Sequence, residues 1–172
     1  MLEGWFFVTA ALLALSGGAK IRDPQPTRGA LAAAGLPSST LVVLLLGLIE
    51  VGAALAGLWG MVAGVLAVGL LYASFAGFVG IALYRHLPLQ SCGCFGRADT
   101  PPTLLHLTVN LTAAAAALAL AAQGGVDLAE VLGQQPAAGL PYLFYLGLAT
   151  YLLVLLLTRL PLLTRRARSA ST

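Results

Sequence analysis

From Ser38 to Tyr84 the chain is an almost unbroken apolar run in which Glu50 is the one charged side chain. Drawn as a single α-helix, that run would rise roughly 70 Å, far beyond a bilayer's hydrocarbon core of about 30 Å. It must turn back on itself. Trp59-Gly60 is the place for the turn, an interfacial aromatic beside a helix breaker.

Composition carries the same argument to the whole chain. Of its 172 residues 59% are apolar and 9% charged, where soluble domains carry about 25% charged residues. A transmembrane helix needs about 20 mostly apolar residues, and segments near 2–19, 38–58, 62–84, 103–123 and 141–163 meet that need. The expected fold class is all-α, a polytopic integral membrane helical bundle of about five transmembrane helices set in lipid. The first segment has a signal-peptide-like apolar stretch, Trp5 to Leu15, but Glu3 is the one charge before it, and Lys20 and Arg22 follow it. It is therefore expected to stay as a span.

Between the first two spans, residues 20–37 hold Pro24, Pro26 and an Ala/Leu-rich stretch too short to cross, which fits a helix lying at the interface. Residues 85–102 form a second polar connection, 124–163 a third connection with the fifth span, and 164–172 a basic tail expected to be disordered. Gly60-x-x-x-Gly64, Ala53-x-x-x-Gly57 and Ala73-x-x-x-Gly77 are small-residue spacings that let helices approach. All 9 Lys and Arg residues fall on one side of this five-span layout. The excess of basic residues marks the cytoplasmic side, so the N-terminus is expected outside the cell membrane, with the C-terminus and the 85–102 loop inside. That placement accounts for the basic residues without a nucleic-acid partner. Lys20, Arg22 and Asp23 are expected to anchor the first helix at the interface.

Both cysteines lie in the 85–102 loop, at Cys92 and Cys94, in Ser91-Cys92-Gly93-Cys94-Phe95-Gly96. Their Cα atoms can lie roughly 5.5 to 7 Å apart, which overlaps the range for a disulfide, and a ring that small is strained and exchanges readily. A redox pair is the first alternative, with Arg85, His86, Arg97 and the start of the fourth span near enough in sequence to favour a thiolate. A soft-metal site of copper or mercury type, on the same Cys92 and Cys94, is the second, and an inert pair of thiols the third. Glu50 lies near the middle of the second span, where a carboxylate is either functional or a hydrogen-bonded packing device. His106 and Asn110, four residues apart, share a helix face. They are placed to orient a quinone head group or assist proton transfer to a thiolate, or else to bind neighbouring helices together.

The order of these features resembles the MauE family of methylamine-utilisation membrane proteins, within the wider DoxX-like group. The resemblance rests on Ser16-Gly17-Gly18-Ala19-Lys20-Ile21, Asp23-Pro24, Leu36-Pro37, Leu48-Ile49-Glu50-Val51-Gly52 and, most specifically, Cys92-Gly93-Cys94-Phe95-Gly96. It covers roughly residues 5 to 115 and implies a four-helix domain over residues 1–123, to which the C-terminal helix is an addition. Val109-Asn110 departs from the Arg-Asn expected in the fourth helix. The implied role is thiol-redox support for disulfide formation in an exported protein, of the methylamine dehydrogenase small-subunit type, together with a thioredoxin-like partner. Disulfides form outside the cytoplasm, whereas the charge count puts the cysteine loop on the reducing side. Either the pair is presented across the membrane by a conformational change or the loop re-enters the bundle. The remaining function classes are the soft-metal transporter and a structural membrane subunit without chemistry.

Overall fold

The computed structural model describes residues 1–87 and 101–169, those from 160 onward as helix backbone alone. The described residues form α1 (Leu2–Arg22), α2 (Gln25–Ala33), α3 (Thr40–Leu58), α4 (Val62–Tyr84), α5 (Leu104–Ala122), α6 (Leu128–Gly133), a 3-10 turn (Pro136–Gly139) and α7 (Leu140–Ser169). Five helices are long and apolar enough to cross a membrane, namely α1, α3, α4, α5 and the stretch Pro136–Arg159. The expected five-helix architecture is what the chain adopts. Its backbone is helical through Ser169, across the basic segment for which the sequence pointed to a disordered tail.

The bundle is built around α1. Buried residues make up 56% of its apolar window against 22% for Pro136–Arg159, so α1 is the central helix and α7 a peripheral one. Phe6, Phe7, Leu12 and Leu13 of α1 pack with Ala53 and Ala54 of α3, Val65 and Val68 of α4, and Ala113 and Ala117 of α5. Small residues on α3 and α5 let α1 sit close, and dispersion between well-packed helices replaces the hydrophobic drive that lipid does not supply. Tyr72 of α4 ties the same core together, its hydroxyl donating to the Thr9 carbonyl at 2.7 Å. Leu41, Leu45, Leu48, Ile49 and Leu55 of α3 are exposed, an outward apolar face suited to acyl chains.

The connections follow local chemistry. Ser39 caps α3, its hydroxyl oxygen accepting from the Val42 amide at 3.3 Å. Arg28 of α2 donates from Nε to the Ser38 carbonyl at 2.8 Å, which fastens the short helix beside the start of α3. The reversal after α3 occurs at Trp59-Gly60, as the sequence required. Gly60 takes φ +73°, and a Cβ there would lie 2.9 Å from Asp127 Cβ, so both conformation and space call for glycine. Asp127 in turn caps α6, accepting from the Ala129 amide at 2.7 Å and the Glu130 amide at 3.2 Å.

The small-residue spacings divide into two groups. Gly57 and Gly64 face one another where α3 crosses α4, whereas Gly77 meets nothing within 4 Å and its helix face is exposed beside Ala73. The Ala73-x-x-x-Gly77 spacing therefore lies on the outer surface, because its register on α4 is turned away from α3 and α5.

Candidate functional site

Glu50 lies on the face of α3 turned towards α1, and it is 0% exposed. Its partner is Lys20, in the last turn of α1 and 3% exposed, whose Nζ stands 2.9 Å from Oε1. Lys20 donates to Oε2 at 2.9 Å and to Ser16 Oγ at 2.6 Å, while Oε1, though as close, is outside hydrogen-bonding geometry. Ser16 and Lys20 are one helical turn apart on α1, so a single face presents hydroxyl and ammonium together. Phe75 of α4 adds its ring, with Lys20 Nζ 5.5 Å from the centroid.

This corrects the expectation for Lys20. A lysine at a helix end usually reaches outward to the headgroups. Here its stem turns inward because Glu50 offers an opposite charge where both groups are buried. Each desolvated ion costs several kcal/mol, which mutual attraction and the two hydrogen bonds offset. Arg22, two residues on, is exposed, as the interfacial reading has it. The signal for the pairing was Glu50 itself, since an intramembrane carboxylate calls for a cation.

The second polar group lies on α5. His106 and Asn110 are buried on one face, as their spacing requires. His106 is held by its neighbour Thr103, whose Oγ1 lies 2.9 Å from Nδ1. A small cavity of about 20 Å³ separates this face from α1 and α4, lined by Ser16, Tyr72, Phe75, His106, Asn110 and Leu157 among others. Ser16, the hydroxyl beside the ion pair, thus borders one space with His106 and Asn110. Cys92 and Cys94 lie outside the described residues. Their loop leaves α4 after Tyr84 and enters α5 at Leu104, so His106 is in the first turn reached from the loop.

A larger groove of about 890 Å³ runs between α1, α6 and α7, with Trp5, Val8, Tyr142, Tyr145, Leu152 and Leu156 in its wall. Trp5 Nε1 is buried there without a hydrogen-bond partner among the described residues.

A family model described as methylamine utilisation protein MauE matches residues 2–123. The match takes in α1 to α5 and with them Ser16, Lys20, Glu50, both cysteines, His106 and Asn110. No curated protein and no solved structure matches the chain.

Proposed function

The chain belongs to the MauE family of methylamine utilisation proteins, and on that premise we propose that it is a membrane thiol-redox accessory protein for the maturation of an exported client. The observation that carries the proposal is the family match, which spans Cys92-Gly93-Cys94-Phe95-Gly96 together with the buried Lys20–Glu50 pair. A pathway whose dehydrogenase small subunit needs disulfides gives such a pair its client. The reaction is thiol–disulfide exchange with a thioredoxin-like protein. A thiolate of the reduced partner attacks the Cys92–Cys94 disulfide, a mixed disulfide forms, and the partner's second thiolate releases it as the partner's own disulfide closes. Two electrons pass from the partner to Cys92 and Cys94, and the protons of its two thiols end on their sulfurs. Run in reverse, the same steps reduce the partner.

A quinone serving as terminal acceptor would have to meet the thiols at the end of the bundle where the loop enters α5, and His106 and Asn110 are the buried polar side chains there that would hold its head group. When bound, a quinone supplies two-electron oxidation.

The test is to replace each cysteine by serine in the intact protein in its host membrane. Cys92→Ser and Cys94→Ser should each abolish disulfide formation in the client while leaving abundance and insertion unchanged. One of the two should accumulate a mixed disulfide with the thioredoxin-like partner. Full client maturation in either single variant would remove the two-thiol mechanism.

A further inference from the structure

The groove between α1, α6 and α7 shares no lining residue with the polar cavity beside Ser16 and His106, and its two ends differ in charge. Glu3 of α1 lies in its wall at one end and Arg159 of α7 at the other, with Ala149, Leu152 and Leu156 between them. Its long walls belong to membrane spans, and Leu152 and Leu156 are exposed, so the groove opens sideways onto acyl chains.

Arg159 stands at a telling depth. It is the last residue of the apolar stretch Pro136–Arg159, and at about 1.5 Å per residue it lies roughly 30 Å along α7 from Leu140, the thickness of the hydrocarbon core. That is the level of the phospholipid phosphates. Arg159 is exposed and forms no ion pair with a described residue. A guanidinium presents a planar fork of N–H donors that matches phosphate oxygens, and phosphate is the anion that any phospholipid bilayer supplies there. The backbone of α7 continues as helix through Ser169, a segment in which Arg165, Arg166 and Arg168 follow. Arginines gathered beside a span favour lipids of net negative charge.

We propose that this groove binds one anionic phospholipid of the bilayer, its phosphate held by Arg159 and one acyl chain laid along Leu156, Leu152 and Ala149 towards Trp5. Glu3 repels a phosphate at the far end, so the lipid sits one way round. From Arg159 to Tyr145 the wall runs roughly 20 Å, which carries the chain past the bilayer midplane to the level of Val8 and Trp5. The lipid fills the flank of α7, the least buried of the five spans. It thereby adds packing between α7 and α1 that the side chains leave unmade.

The experiment uses the full-length protein with both cysteines intact, in nanodiscs of phosphatidylcholine. The chain has two tryptophans, and Trp59 is exposed at the α3–α4 turn, outside the groove. Trp59→Phe therefore leaves Trp5 as the single fluorophore. Phosphatidylglycerol or phosphatidylcholine, each brominated near the end of the acyl chain, is titrated in, and bromine quenches an indole only at close range. Half-maximal quenching of Trp5 should need an about fivefold lower fraction of phosphatidylglycerol than of phosphatidylcholine, the scale of one arginine at a lipid surface. Arg159→Gln should bring that ratio close to one, whereas replacing Arg165, Arg166 and Arg168 together by glutamine should leave most of it. Ala149→Phe, which fills the groove, should remove most quenching by either lipid, and Leu152→Phe serves if that variant fails to insert. A ratio near one before Arg159 is changed overturns the site. So does a preference that survives Arg159→Gln, because lipid gathered by general charge needs no particular arginine. Quenching unchanged by filling the groove is that of lipid around any span, and it overturns the proposal as well. Inorganic phosphate at constant ionic strength should leave the ratio unaltered, and a fall towards one would make Arg159 a free-anion site in place of a lipid site.

Discussion

Gly17 of α1 and Gly47 of α3 stand backbone against backbone. A Cβ on Gly17 would lie 2.6 Å from the Gly47 carbonyl oxygen, and one on Gly47 would lie 2.8 Å from the Gly17 carbonyl oxygen. Each glycine neighbours the ion pair, since the Cβ on Gly17 would also come within 2.9 Å of Glu50 Cβ and the one on Gly47 within 3.3 Å of Lys20 Cβ. The crossing therefore sets how far apart the two charged side chains stand. It gives physical content to the segment Ser16-Gly17-Gly18-Ala19-Lys20, in which hydroxyl, close approach and ammonium occupy one face of α1.

Gly17→Ala and Gly47→Ala should each destabilise the bundle by about 1 to 3 kcal/mol, the usual cost of overpacking a tight contact. Gly18→Ala should be nearly neutral, because nothing lies within 4 Å of its added Cβ. Unfolding in mixed micelles measures all three. Equal effects for Gly17 and Gly18 would show that the α1–α3 approach is looser than described.

The ion pair makes an asymmetric demand on stability. Removing one partner leaves a buried charge uncompensated, so Lys20→Met or Glu50→Leu alone should cost about 3 to 5 kcal/mol. The double variant Lys20→Met/Glu50→Leu should recover most of that loss, since apolar side chains of similar size suit this environment. It should still fail in client maturation if the carboxyl works for a living reaction and not for packing. A double variant as unstable as either single would mean that the pair does not act as a unit.

Much of this architecture was legible before any coordinates, and for a definite reason. Membrane spans need long apolar runs, so α1, α3, α4 and α5 and the turn at Trp59-Gly60 follow from hydropathy and length alone. The pairing of Lys20 was not legible in the same way, because a basic residue at a helix end has the same sequence signature whether it reaches out to headgroups or in to a carboxylate. Choosing between them needs the rotation of α1 against α3. The same rotation hides Gly17 and Gly47 among the chain's 20 glycines, while Ala73-x-x-x-Gly77, which has the favourable spacing, faces outward. Glu50 and the His106/Asn110 face were identifiable singly. That Ser16, hydrogen-bonded to Lys20 beside Glu50, borders a cavity with His106 and Asn110 depends on α1, α4, α5 and α7 meeting, which no local pattern encodes.

Orientation can be tested from the distribution of charge. All 9 basic residues belong to connections or helix ends on one side of the five-span layout, and such an excess is retained in the cytoplasm. A C-terminal fusion to a reporter active only in the cytoplasm should be active, and one active only after export should be silent. The opposite pattern would place the cysteine loop on the oxidising side and remove any need to present it across the membrane.

Thr103 offers a test of how His106 is positioned. It stands at the N-cap of α5, yet its side chain makes no capping hydrogen bond. Its Oγ1 lies instead 2.9 Å from His106 Nδ1, which orients the ring. Thr103→Val keeps the shape and the β-branch while removing that contact, so helix stability should change by less than about 1 kcal/mol. Client maturation should nevertheless slow by roughly three- to tenfold, the scale expected when a proton-transfer group is left free to rotate. Thr103→Ser, which retains the hydroxyl, should restore most of the rate. Matching stability together with an unchanged rate in Thr103→Val would show that ring orientation does not limit the reaction, and an equal loss in Thr103→Ser would trace the effect to packing at the start of α5.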